Sequence, residues 1–219
     1  MGGNGTRSPA RRALGWLALG VVVLGAVKIV HSQQAPTGPP NPAAAAYLPP
    51  VPPPGSVFAD PLGYSLPVHI DIPDADIHAD LIKVGLGADG GIGVPPLDQA
   101  QEAAWYDGGP APGQAGPAVI DAHVDSRQTR GFRGAFYNLG SVQPGQQISV
   151  TRADHVVTVF TVDSVQQAAK DKFPTSRVYG SVSYAALRLI TCGGDFDYAK
   201  SSYEDNTIVY AHMTETSSR

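Results

Sequence analysis

The sequence predicts an all-β domain carried behind an N-terminal membrane anchor, and three observations predict it. After position 60, short apolar or alternating runs recur, each bounded by Gly, Pro, Asn or Asp, which is how strands and their turns are written. Little chain is left between these runs for helices. The chain also opens with an apolar stretch behind Arg7, Arg11 and Arg12.

Residues 1–12 read as a cytoplasmic N-terminus and residues 13–30 as a transmembrane helix. The 18 apolar-rich residues span about 27 Å at about 1.5 Å per residue, close to the thickness of a bilayer core. Lys28 can snorkel to the interface. The arginines hold the N-terminus inside and place everything later outside, as a single-pass protein of the cell membrane. A cleaved signal peptide is the alternative. Residues 31–59 form a Pro- and Ala-rich linker, with Pro39-Pro40, Pro49-Pro50 and Pro52-Pro53-Pro54. Proline favours an extended, semi-rigid chain, so this segment reads as a spacer between membrane and domain.

The domain proper runs over residues 60–219. Pro67-Val68-His69-Ile70-Asp71-Ile72 alternates as a half-buried strand should. Residues 81–86 are a second strand, and Ala88-Asp89-Gly90-Gly91 turns the chain into a short strand at 92–94. Residues 99–105 read as a short helix and 107–116 as a Gly/Pro loop. Residues 118–122 are a buried strand that ends at His123. Residues 147–151 and 156–162 flank Arg152-Ala153-Asp154-His155 as a hairpin. Residues 183–186 read as a helical turn, and 187–191 and 207–210 as the last strands. Seven or eight short strands favour a closed or nearly closed barrel.

Charged residues make up only 16% of the chain and the net charge is −4, so there is no basic stripe of a nucleic-acid binder. Scattered histidines and one cysteine give no zinc-type spacing. The acidic set Asp195, Asp197, Glu204 and Asp205 lacks a calcium-loop signature. No phosphate loop is present, and neither metal nor cofactor is expected.

Cys192 is the only cysteine. In an exported domain a lone thiol has no disulfide partner in its own chain, so it is either an inert core residue or a nucleophile. A nucleophilic thiol needs a base or a cation beside it. Of the six histidines, His123 stands at the end of a buried strand, where a scaffold presents side chains to a cleft. Residue spacing alone leaves both readings open.

At these residues the sequence resembles the sortase family, and within it the class F, actinobacterial-type group. The resemblance is carried by Leu189-Ile190-Thr191-Cys192 with Gly193-Gly194 and Phe196-Asp197. It is carried also by His123-Val124-Asp125-Ser126 with Phe136-Tyr137-Asn138-Leu139-Gly140 and Pro144-Gly145. The third part is Phe173-Pro174-Thr175, Val178-Tyr179-Gly180 and Tyr203-Glu204-Asp205-Asn206. It extends from about Pro67 to Ala211.

The resemblance implies an eight-stranded β-barrel with short helices, and a cysteine transpeptidase. Such an enzyme cuts an LPXTG-like sorting signal between Thr and Gly through a thioester, here on Cys192, with His123 moving the protons. The acyl group then passes to an amine, such as that of a peptidoglycan precursor or of another protein. The alternatives are a non-catalytic barrel that binds wall polymer or peptide, and a hydrolytic cysteine protease on the same fold.

The family also uses an arginine near the start of the last strand, and no arginine stands between Cys192 and Arg219. Asn206 falls near that place. Arg188, four residues before Cys192 and on the same strand face, is the preferred substitute; Arg127 is another. Val178 is a candidate wall for the signal's leucine.

Overall fold

The computed structural model describes residues 1–2, 38–43, 52–88 and 90–218. The expected anchor at 13–30 and much of the linker lie outside these residues. Among the described residues no helix is long and apolar enough to cross a membrane. The chain divides into a unit at Met1–Ala35 and a unit at Pro36–Arg219, and the second holds the barrel.

Eight strands close on themselves. They are β1 (Pro67–Ile72), β2 (Ile77–Val84), β3 (Ala103–Tyr106), β4 (Gly116–Asp121), β5 (Gln147–Arg152), β6 (Val156–Ala169), β7 (Ala185–Asp197) and β8 (Ser202–Ser218). Their order around the barrel is β1-β2-β3-β4-β7-β8-β6-β5, and β1 pairs with β5 to complete the ring. The β2/β3 and β4/β7 pairs are parallel and the others antiparallel. Closure leaves no long free edge.

Alternation along each strand separates two cores. Ile70, Ile72, Ile120, Leu187, Leu189, Val209 and their neighbours fill the barrel interior. Val119, Ile190, Ile208, Tyr210 and Ala168 face outward on β4, β7, β8 and β6, where Val178 of α1 (Thr175–Tyr179), an α-helix, covers them. The outward face of these four strands is therefore a covered surface rather than a wet one.

The barrel reading holds, and several elements differ. Residues 99–105 do not form a helix: a 3-10 turn at Leu97–Gln99 leads into β3. Ala103 and Ala104 favour a helix, but Ala103–Tyr106 gain more by pairing with Leu81–Val84. The helical turn at 183–186 is instead the start of β7, held by Gly116 and Pro117 across the parallel ladder. The short strand at 92–94 is a single bridge between Ile92 and Leu86. Strands β6 and β8 are far longer than their apolar runs because they pair with each other almost end to end.

Part of the linker is not a free spacer. Asn41 Oδ1 accepts the Gly194 N–H at 3.3 Å, and the Pro40 carbonyl occupies the space a side chain at Gly140 would need. Nearer the barrel, Ala59 N–H donates to Met213 O and Leu62 N–H to Gly113 O. Phe58 stacks against Tyr184 and His212, each at 5.0 Å between ring centres.

Candidate active site

The parallel ladder between β4 and β7 sets the site. Asp121 pairs with Ile190, and the Ala122 N–H donates to the Ile190 carbonyl. Continued two residues past that last pair, beyond the end of β4, the same register sets His123 level with Cys192. On the other side Cys192 pairs with Asn206 of β8, and Asn206 with Ala168 of β6. Cys192, Asn206 and Ala168 thus form a row across β7, β8 and β6, about 4.8 Å apart from strand to strand. Ile190 and Ile208 lie in the outer cluster, so two residues along, Cys192 and Asn206 face outward as well.

The chain bends sharply after this row. A bulge follows Gly193, and Gly194 takes a positive φ of 76°. A Cβ at Gly194 would run into the Asp205 side chain, so glycine is required twice over. The bend carries the rest of β7 and the start of β8 away as a hairpin beside the site.

Each partner is held by its surroundings. His123 Nε2 lies 2.7 Å from the buried Pro95 carbonyl. A carbonyl only accepts, so Nε2 carries the proton and Nδ1 is the basic nitrogen of the neutral ring. Cys192 is half-buried. Burial pushes its thiol pKa up; the charge and N–H of Lys170 pull it down, and Asp121 and Asp125 push it up. Asp121, two residues before His123, has its carboxyl pushed up to about 8 by desolvation. Asp125 Oδ2 accepts the Tyr203 hydroxyl at 2.5 Å, and burial together with that bond raises the Tyr203 pKa. Asp125 thus braces the loop after His123 against β8.

Two recesses are lined by residues near this part of the sheet in the chain or in the outer cluster. One, of about 400 Å³, is lined by Leu86, Ile92, Tyr106, Phe173 and Tyr179 and is apolar. The other, of about 970 Å³, lies where Asp125, Arg127, Tyr203 and Gly194 meet residues 38–41 of the linker.

The structure pairs Cys192 with Asn206, leaves His123 two residues past the end of β4, and turns the Arg188 donors elsewhere. Arg188 shares the outward face, as its spacing requires, but it is 2% exposed beneath the α1 region. Its donors go to the carbonyls of Arg177, Leu187 and Ala211, and its guanidinium lies 5.0 Å over the Tyr210 ring. Arg127 is exposed on the loop after His123. Val178 is fully buried against the outer cluster, so it holds α1 down and the neighbouring Tyr179 and Phe173 line the recess instead. Lys170, Asp121 and Pro95 are additions that the sequence reading did not single out. Asp121 had a signal, a carboxylate inside an otherwise apolar strand. Lys170 had none, since β6 runs seven residues past its last clearly apolar stretch.

Among the described residues no group of three His, Cys, Asp or Glu side chains could hold a metal ion.

A family model for the Sortase domain matches residues 70–214. Among solved structures, the chain is similar to sortase A of Listeria monocytogenes, with 15% identity and a TM-score of 0.52 over 72% of this chain and 92% of that one. It is also similar to the SrtA sortase from Actinomyces oris, with 18% identity and a TM-score of 0.52 over 77% of this chain and 91% of that one. A lid mutant of sortase A from Corynebacterium diphtheriae is similar at 20% identity and a TM-score of 0.51, over 70% and 73%. At these identities the structures speak for the fold. No curated protein sequence matches the chain.

Proposed function

The chain belongs to the sortase family, and from that premise we propose that it is a membrane-anchored cysteine transpeptidase acting on LPXTG-like sorting signals. The observation that carries this reading is the parallel β4/β7 register, which, continued two residues past Asp121 and Ile190, would set His123 level with Cys192. The N-terminal apolar run at 13–30, with arginines inside, would hold the domain outside the membrane next to secreted substrates.

The chemistry proceeds in two transfers. The Cys192 thiol gives its proton to His123, and the sulfur attacks the Thr carbonyl of the signal. When the C–N bond breaks, His123 returns that proton to the departing glycine amine, which could not leave as an anion. A thioester remains on Cys192. An incoming amine then attacks it, its proton passes through His123, and the thiol is released. The apolar recess beside Tyr106 and Tyr179 suits the signal's leucine, and the polar recess beside Asp125 and Arg127 suits the acceptor amine. A cell-wall precursor or another protein would supply that amine.

The test is incubation of the full chain in detergent with a fluorogenic Leu-Pro-x-Thr-Gly peptide and an amine. The expected result is amine-trapped product and a thioester adduct on Cys192 by mass spectrometry, both lost in Cys192→Ala. Cleavage that survives this substitution would falsify the covalent route, and free acid in place of amine product would make the chain a hydrolase.

The burial-raised thiol favours one second reading, a barrel that binds peptide or wall polymer without cutting it. A thiol inert to a methanethiosulfonate reagent at neutral pH would support that reading.

A further inference from the structure

Attack of a thiolate on an amide carbonyl places negative charge first on sulfur and then on oxygen. In a half-buried site each needs a cation or an aimed donor. Arg188 is turned away and buried, and Asn206, level with Cys192, carries no charge.

Lys170 meets the requirement. Ala168 lies in the row with Asn206 and Cys192 and packs in the outer cluster, so that row faces outward. Lys170 follows two residues later, where β6 gives way to the turn at Lys170–Lys172, and so leaves the strand on the same face. Its Nζ donates to Ser202 Oγ at 2.8 Å. That hydroxyl in turn donates to the Tyr203 carbonyl at 3.2 Å, which leaves a lone pair for the ammonium. Ser202 pairs with Asp197 in the hairpin that continues from Cys192, so the bond ties the lysine to that hairpin beside the site.

Asp171, Glu204 and Asp205 line the same recess, of about 410 Å³. Yet among the described residues none of them forms an ion pair with Lys170. An ammonium has three donors, and Ser202 takes one.

Resting on the reading of Cys192 as the acyl-accepting nucleophile, we propose that Lys170 is a catalytic residue: its ammonium holds the Cys192 thiolate and then the carbonyl oxyanion, the task a guanidinium performs elsewhere in the family. No proton leaves Lys170 in this scheme. The thiol proton goes to His123, the S–C bond forms, and the carbonyl electron pair moves to oxygen, where a Lys170 N–H donates. The pair then returns, the C–N bond breaks, and the amine takes its proton from His123.

The single cysteine makes the test clean. In the full chain in detergent micelles, the rate of iodoacetamide alkylation against pH reports the thiolate directly. Turnover of the fluorogenic Leu-Pro-x-Thr-Gly peptide reports the oxyanion. In Lys170→Met the alkylation midpoint is expected to rise by about one pH unit. Its kcat is expected to fall about 100-fold with KM unchanged. Lys170→Arg restores most of both. Lys170 is exposed, so circular dichroism should be identical in all three proteins.

An unchanged midpoint in Lys170→Met overturns the proposal, and so does a kcat loss that Lys170→Arg shares in full. If the wild-type chain does not process the peptide, the transpeptidase reading fails separately. The alkylation arm then decides alone whether Lys170 serves the thiolate: a raised midpoint upholds it and an unmoved one ends it.

Discussion

The Thr191 hydroxyl donates a 2.7 Å hydrogen bond to the Ala122 carbonyl, so the residue before Cys192 is fastened to the residue before His123. Thr191 is buried in the barrel wall, and the bond lies across the parallel β4/β7 ladder just where β4 stops pairing. It is a clamp on the spacing of the proposed nucleophile and proton carrier.

Thr191→Val keeps the shape and removes the donor. Stability measured by urea unfolding should fall by about 1–2 kcal/mol, since the Ala122 carbonyl loses a buried partner. Peptide turnover by the folded fraction should fall about tenfold through misplacement of the pair. Thr191→Ser should preserve both quantities. Wild-type turnover in Thr191→Val would show that the ladder alone suffices.

Asp121 makes stability depend on pH in an unusual direction. Its carboxyl is raised to about 8 in the folded chain, while in the unfolded chain it titrates near its ordinary value of about 4. The folded state therefore holds a proton that the unfolded state has released. That contribution is fully present below about pH 4 and is lost as the pH rises toward 8. A Tm series across this window should show Asp121→Asn losing less stability with rising pH than wild type. The alkylation midpoint of Cys192 should also move down in that variant, since one nearby negative charge is gone.

Arg188→Met separates structure from chemistry. The guanidinium bonds the carbonyls of Leu187 and Ala211 in a buried site, and Asp163 and Tyr184 lie within its field. Its loss should cost about 2 kcal/mol of stability in denaturant unfolding. Turnover per folded molecule should stay at the wild-type value. A large fall in kcat with stability intact would return Arg188 to the active site.

Gly140→Val tests the docked linker. The added side chain would occupy the place of the Pro40 carbonyl and push residues 38–43 off the barrel. Limited proteolysis should then cut within 38–43 faster than in wild type, with the barrel core left whole. Equal cutting rates would mean that the Asn41–Gly194 bond holds the segment by itself.

Much of the barrel was legible because several strands carry local marks. Pro67–Ile72 alternates, Gly116–Asp121 is apolar up to its last residue and lies two residues before His123, and Gln147–Arg152 leads into a turn whose His155 adopts a positive φ. Strand β3 was misread as helix because Ala103 and Ala104 favour helix locally, and only the parallel partner at Leu81–Val84 overrules them. The far end of β6, Gln166-Gln167-Ala168-Ala169, has weak strand propensity and exists as strand because β8 pairs with it. Lys170 was invisible for the same reason.

The sequence by itself determined which residues share a strand and a face, because side-chain parity along a strand is a local property. It put Cys192 and Arg188 on one side of β7, and that placement stands. Only the tertiary structure decided what lies over each position on that side. The α1 region covers Arg188, whose donors go to the carbonyls of Arg177, Leu187 and Ala211, while Cys192, level with Asn206 on the same face, stays only half-buried. Cover comes from segments distant in the chain, and no local pattern encodes which of two like-facing side chains it will reach.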